Sequence, residues 1–275
     1  MSSPISRLRL RLLAVGAALF LSAYAVANAT TIVVARSASE IVIGADSKVT
    51  DTYGNELDSQ VCKIRQVGSL FLAFEGLLRD KATGFNVPEI AVRALQLKPD
   101  ASAQERVNVL TGFLTSELFV ELQRVRTNSP DEFHTRLEGQ TFLRIVIAGF
   151  EGGRPLIFIR QFRTTFIARG IGVTVIPDDC LAGCEGEVVT RFLGETDAID
   201  GLPEDTPGFW QGGLADGVRR LIEIEIAARS EYVGPPIDLL QIKAQGAKWI
   251  QKKAGCPDLM LPRKRVKQPV RKRRR

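Results

Sequence analysis

Two β-branched apolar runs, residues 31–36 (TIVVAR) and 40–45 (EIVIGA), follow one another with only Ser37-Ala38-Ser39 between them. Such side chains are stiff at χ1 and pack well on a pleated surface, so two runs joined by a short polar link read as a hairpin. The chain body is thereby committed to begin as sheet. A polar stretch with Gly54 and Asn55 follows, then strands at 60–66 and 69–75 joined at Gly68. Helical spacing takes over at 86–98, where Val87, Ile90, Ala91, Ala94 and Leu95 share a face. Asp100 or Ser102 caps a second helix, with Glu105 three residues after Ser102 as in a capping box. Its stripe of Val107, Leu110, Leu114, Leu118 and Leu122 carries it to about Arg126. Strands are expected again at 140–149, 154–161 and 164–171, with Glu151-Gly152-Gly153 as a turn. Helices at 186–194 and 207–228, a strand at 235–243 and a short segment at 246–251 complete the pass.

Runs of strands alternating with runs of helices indicate α+β and not repeated βαβ units. Two helical layers enclosing two antiparallel sheets would bury every apolar face. No repeat and no internal linker is visible, so residues 30–253 are read as one domain.

What precedes that domain has the features of a secretory leader. Arg7, Arg9 and Arg11 form a positive region, Leu12 to Val26 is an apolar run, and Ala25-Val26-Ala27-Asn28-Ala29 ends it in small residues. Residues 1–29 are therefore expected to be a signal peptide cleaved near Ala29, which places the mature protein in a periplasmic or extracellular space. An uncleaved anchor is the rival reading, although the apolar run is short for a span of about 20 residues. Cleavage after Ala27 is open too, and would leave Asn28-Ala29 ahead of Thr30.

The net charge of +6 is misleading. Residues 263–275 hold nine basic residues and no acidic one, which leaves 25 basic against 31 acidic between Thr30 and Pro262. The body is acidic and carries no nucleic-acid motif. Residues 254–275 are expected to form a disordered basic tail, because dense like charges repel, or to touch an anionic surface. The four cysteines, Cys62, Cys180, Cys184 and Cys256, permit disulfides in an exported chain, with connectivity open. One histidine, His134, excludes a His-rich zinc site and makes a Ser-His-Asp triad improbable. No cofactor and no metal is expected.

Cutting after Ala29 makes Thr30 the first residue. A threonine there carries a hydroxyl and a free α-amine with an ordinary pKa of about 7.7–8.0, so the amine can accept the hydroxyl proton without a histidine. Thr30-Thr31-Ile32-Val33, followed by Ile43-Gly44-Ala45-Asp46-Ser47-Lys48-Val49-Thr50, resembles the start of proteasome β subunits and of the bacterial proteasome-like peptidase. Cys62-Lys63-Ile64 and Phe74-Glu75-Gly76, then Asp80, extend the likeness, and the element order follows it over nearly all of 30–253. The resemblance implies a four-layer αββα sandwich of the N-terminal nucleophile (Ntn) hydrolase type. It implies Thr30 as nucleophile and base, Asp46 paired with Lys63 beside it, and the Gly76 N–H as oxyanion donor. It further implies a peptide or small-amide substrate and self-association into a homo-oligomer.

Two features depart from the family pattern. Its Asp-x-x-Ser-Gly segment, which supports the threonine amine, aligns with Ser230-Glu231-Tyr232-Val233-Gly234, which leaves Ser230 as a possible support. Its Gly-Ser-Gly turn aligns with Gly183-Cys184-Glu185-Gly186, which makes Cys184 another. A catalytically silent assembly or binding protein is the alternative reading.

Overall fold

The computed structural model describes residues 30–50, 56–58, 62–80, 83–168, 170–181 and 187–260. The expected signal peptide, the Cys184 turn and the basic stretch 263–275 lie outside the described residues. The chain is a mixed α/β protein, and the strands among its described residues all pair antiparallel. One five-stranded sheet has the order β12-β1-β2-β13-β14, built from Val189–Gly194, Thr31–Arg36, Glu40–Ala45, Asp238–Lys243 and Gly246–Gln251. The other has the order β11-β10-β9-β6-β5, built from Gly170–Cys180, Arg154–Ile167, Thr141–Glu151, Leu70–Gly76 and Ile64–Val67. Two small ribbons, β3 (Val49–Thr50) with β4 (Glu56–Asp58) and β7 (Arg79–Asp80) with β8 (Phe85–Asn86), complete the strands.

The hairpin that opens the body forms as its residues dictate, with Ser37 N–H bonding Glu40 O at 2.9 Å across the link. Alternation then sorts the side chains. Ile32, Val34, Ile41 and Ile43 join Phe71, Ala73, Val146, Ala148 and Ile157 in one buried cluster, so inner faces of the two sheets meet. Val33, Ala35 and Val42 point the other way, onto Leu214, Val218, Leu221 and Ile222 of α5 (Leu214–Ala228). The second sheet's other face, with Leu70, Leu72, Phe74, Ile145 and Phe158, is covered by α1 (Val87–Gln96) and α2 (Ala103–Asn128).

Both covering helices start where their caps require. Asn86 accepts from Glu89 N–H at 3.3 Å and Ser102 from Glu105 N–H at 3.2 Å, each satisfying a donor that the first turn leaves orphaned. Every member of the leucine stripe on α2 is buried. Shorter helical pieces are α3 (Pro130–Glu132), which runs into a π-turn at Phe133–Leu137, and α4 (Leu202–Asp205). Among the described residues no helix is long and apolar enough to cross a membrane.

Four segments differ from their sequence-based expectations. The strands expected at 154–161 and 164–171 are one strand, Arg154–Ile167, which turns back into a further strand at Gly170–Cys180. The expected helix at 186–194 is instead strand β12 at Val189–Gly194, because Thr31 to Arg36 offers an open edge and pairs with it residue for residue. The helix expected from 207 begins only at Leu214, since Pro207, Gly208, Gly212 and Gly213 keep the chain in turns before it. Residues 254–260, assigned from sequence to the tail, lie on the body: Cys256 is buried and disulfide-bonded to Cys62, and Met260 N–H bonds Gln66 Oε1 at 2.7 Å.

Gly44 on β2 sets how closely α5 approaches. A Cβ there would sit 2.5 Å from Val218 Cγ1 and 2.6 Å from Ile222 Cδ1. Forcing one methyl into a filled core typically costs about 1–3 kcal/mol. Gly44→Ala is therefore expected to lower stability by about that amount, read from urea unfolding midpoints at unchanged m-value.

Candidate functional site

The register of the first hairpin places Asp46. Ile32 faces Ala45, so the next residue beyond the strand meets Thr31: Asp46 N–H bonds Thr31 O at 3.1 Å, and Thr31 N–H returns to Asp46 Oδ1 at 2.9 Å. The other carboxylate oxygen accepts from Lys48 N–H at 3.0 Å and Gly234 N–H at 3.2 Å. Lys63, one residue before β5, completes the arrangement with its Nζ 2.6 Å from Asp46 Oδ1 and 2.7 Å from Lys48 O. Both charged side chains are fully or nearly fully buried. A carboxylate removed from water needs such a set of donors, and here three backbone amides and an ammonium supply it. Burial pushes the Lys63 ammonium below the ordinary lysine range; Asp46 opposes that shift and Lys253 adds to it.

Thr30 is buried, and its position is fixed from two sides. Through Thr31 it is tied to the Asp46 carboxylate. On the other side its carbonyl accepts from Glu195 N–H at 2.8 Å, and Thr31 Oγ1 donates to Glu195 O at 2.6 Å. Gly194 packs directly against this carbonyl: a Cβ at Gly194 would fall 1.6 Å from Thr30 O, and its φ of +88° is one that only glycine adopts readily. Gly76 closes β6 with φ +104°, where a Cβ would lie 2.3 Å from Phe142 O. The preceding residue, Glu75, has its Cγ 3.4 Å from where the Gly194 Cβ would be.

The structure thus gathers Thr30, Asp46 and Lys63 at one end of the first sheet, with Gly76 at the end of β6 in the second. Ser230 does not join them by its side chain. It is exposed, and only its carbonyl takes part, accepting from Lys48 Nζ at 2.9 Å. Cys184 lies outside the described residues, and the turn that does meet Thr30 is Gly194-Glu195. The Gly194-Glu195 turn escaped notice because residues 186–194 read as a helix from sequence, where β12 pairs with β1. A glycine ending the run Phe192-Leu193-Gly194 was the available signal.

Sequence reasoning missed three further groups. Glu75 is buried and ion-paired to Arg144 at 3.4 Å. Lys253, Asp238 and Ser47 form a second buried polar cluster, with Lys253 Nζ 3.2 Å from Asp238 Oδ2 and 2.7 Å from Ser47 Oγ. The Cys62–Cys256 disulfide lies beside it; Cys62, Cys256 and Asp238 put potential ligand atoms within 4.8 Å of one another, but both sulfurs are spent on the bridge. Cys180 is disulfide-bonded as well.

Two open depressions adjoin the Gly194 turn. One, of about 370 Å³, is lined by Glu75, Gln140, Arg144, Gly194 and Glu195 among others; the second, of about 250 Å³, by Arg144, Asp178, Arg191 and Gly194 among others. Their walls are mainly polar and charged. Neither is lined by Thr30, Asp46 or Lys63.

Removing one member of a buried ion pair leaves its partner's charge uncompensated and costs about 3–5 kcal/mol. Asp46→Asn is expected to destabilise by about that amount, measured by chemical unfolding. Glu75 gives a pH signature. Burial raises its carboxyl above the usual range, Arg144 opposes this, and Glu195 adds to it. The native state therefore holds the proton to higher pH than the unfolded chain does. The associated stability is complete below the ordinary Glu range and is lost as pH rises through the raised value. Glu75→Gln is expected to remove that decline, so the variant gains on the wild type in thermal unfolding as pH rises above the ordinary Glu range. No family model and no curated protein matches this chain.

Proposed function

We propose that the protein is an exported N-terminal-threonine hydrolase acting on peptides or small amides, with the sandwich of an Ntn hydrolase. The observation that carries this reading is the buried Asp46–Lys63 pair held against the first strand at Thr31, one residue from Thr30. A buried pair of this kind typically adds little stability over an apolar pair, so its presence beside a candidate nucleophile argues for chemistry. The three apolar clusters, one between the sheets and one under helices on each outer face, support the αββα layering.

The roles follow from the resemblance and from the placement of the residues. Leader removal at Ala29 frees the α-amine of Thr30, which takes the hydroxyl proton as Oγ1 attacks the substrate carbonyl. Lys63, held by Asp46, lowers the cost of negative charge on that oxygen. The Gly76 N–H donates to the oxyanion of the tetrahedral intermediate; one such donor is worth about 3–4 kcal/mol. The amine then protonates the leaving nitrogen, and water releases the acyl group. Self-association is proposed on the family likeness, and Phe119 and Val120 on α2 are exposed apolar side chains on a helical face.

A second reading, a silent protein that keeps the sandwich for assembly or binding, is favoured by the burial of Thr30 and by the exposure of Ser230 where the family carries its amine support. One experiment separates the two. Mature protein is first identified by N-terminal sequencing, expected to begin at Thr30. Wild type and Thr30→Ala are then assayed on fluorogenic peptides. Turnover in the wild type that falls at least about 10³-fold in the variant, with circular dichroism unchanged, is expected, since loss of a covalent nucleophile removes the whole catalytic unit. Equal rates in both would remove Thr30 from the mechanism.

A further inference from the structure

The Asp46–Lys63 pair has a neighbour that the proposed mechanism does not use. Asp238, at the start of β13, faces Ala45 across the sheet, so its carboxylate lies next to the turn that carries Asp46. Lys253, just beyond β14, reaches back to it: its N–H bonds Asp238 Oδ1 at 2.9 Å and its Nζ lies 3.2 Å from Oδ2. The same Nζ donates to Ser47 Oγ at 2.7 Å. Ser47 is the residue after Asp46, and its own hydroxyl donates to Pro236 O. Asp46, Ser47 and Asp238 are completely buried, and Lys63 and Lys253 nearly so. Two carboxylates and two ammoniums thus share one water-poor region, linked through the Asp46-Ser47 backbone. The disulfide covers the same spot from outside the sheet order: Cys62 precedes Lys63, and Cys256 follows Lys253 by three residues.

We propose that Lys253 is a positioning residue for the Asp46–Lys63 pair: it fixes the Ser47 hydroxyl, and with it the turn that presents Asp46, and sets a second positive charge within reach of the Lys63 ammonium. The disulfide delivers it there: among the described residues, 252–260 form no strand pairing, and Cys256 anchors the stretch to Cys62. In a region this dry, charges interact strongly even without contact. The groups acting on Lys63 are Asp46 from the end of β2, Asp238 from β13 and Lys253. Of the latter two, Lys253 has the larger effect and depresses the Lys63 ammonium further, while Asp238 opposes it. Its bearing on catalysis rests on the hydrolase reading above; its effect on Lys63 does not.

The test is a pH titration of the Lys63 side chain by NMR on protein carrying ¹³C-lysine, with the resonance assigned by its loss in Lys63→Arg. In Lys253→Met the Lys63 midpoint is expected to move up relative to wild type. Lys253→Arg, which keeps the charge, is expected to restore it. Should Lys253→Met not fold with Asp238 unpaired, the double variant Asp238→Asn/Lys253→Met removes both charges, and a smaller upward move is expected. In the same variants the alkaline limb of kcat/KM is expected to follow the midpoint upward. A Lys63 midpoint unmoved in folded Lys253→Met, or in the double variant, overturns the proposal. A midpoint that moves in a protein without turnover leaves Lys253 in this role and removes the hydrolase reading instead.

Discussion

The Asp46 carboxylate holds this end of the molecule together. A charged group with no access to water is tolerated only where its lone pairs find donors, and Asp46 draws its donors from four separate places: the first strand, its own turn, Lys63 just before β5, and the loop before β13. Those segments are far apart in the chain and are brought together by two sheet pairings. The donors of the carboxylate therefore coincide only where β1, β2 and β13 have paired and the residue before β5 has docked on them, and these segments in turn fix its orientation.

Around that centre the sheets supply rigidity and the turns supply closeness. Gly194 and Gly76 let backbone approach backbone at the sheet ends, where any Cβ would collide with a carbonyl. Thr30 is confined between one such turn and the carboxylate network. The site is thus built mostly of backbone, with side-chain charge at Asp46, Lys63, Glu75 and Lys253.

Much of the fold was legible because local signals agreed with tertiary need. The β-branched runs at 31–36 and 40–45, the Ser102 cap and the leucine stripe from Val107 to Leu122 each describe an element that packs as its pattern requires. Residues 189–194 carry a weak local signal, since only Leu193 of Val-Thr-Arg-Phe-Leu-Gly is fully buried, and the strand is set by its pairing with β1 about 155 residues away in the chain. In the site, Asp46 and Lys63 were singled out by the resemblance of residues 43–50 and 62–64 to proteasome β subunits. Lys253, Asp238 and Glu195 could not be, since a lysine near the end of a basic chain reads as solvated until a covalent tie to position 62 is known.

That tie joins positions 194 residues apart and closes a covalent ring over everything from Cys62 to Cys256, leaving the opening hairpin outside it. Synthesis proceeds from the amino end, so the ring has no second sulfur until the last stretch of the body has been made. The surroundings of Lys63 are accordingly the final part of the molecule to be completed, and the residues grouped about Thr30 share their finished arrangement only in a chain that has been made through Cys256. A truncated product would carry the same opening strands and the same threonine, yet lack the closing piece.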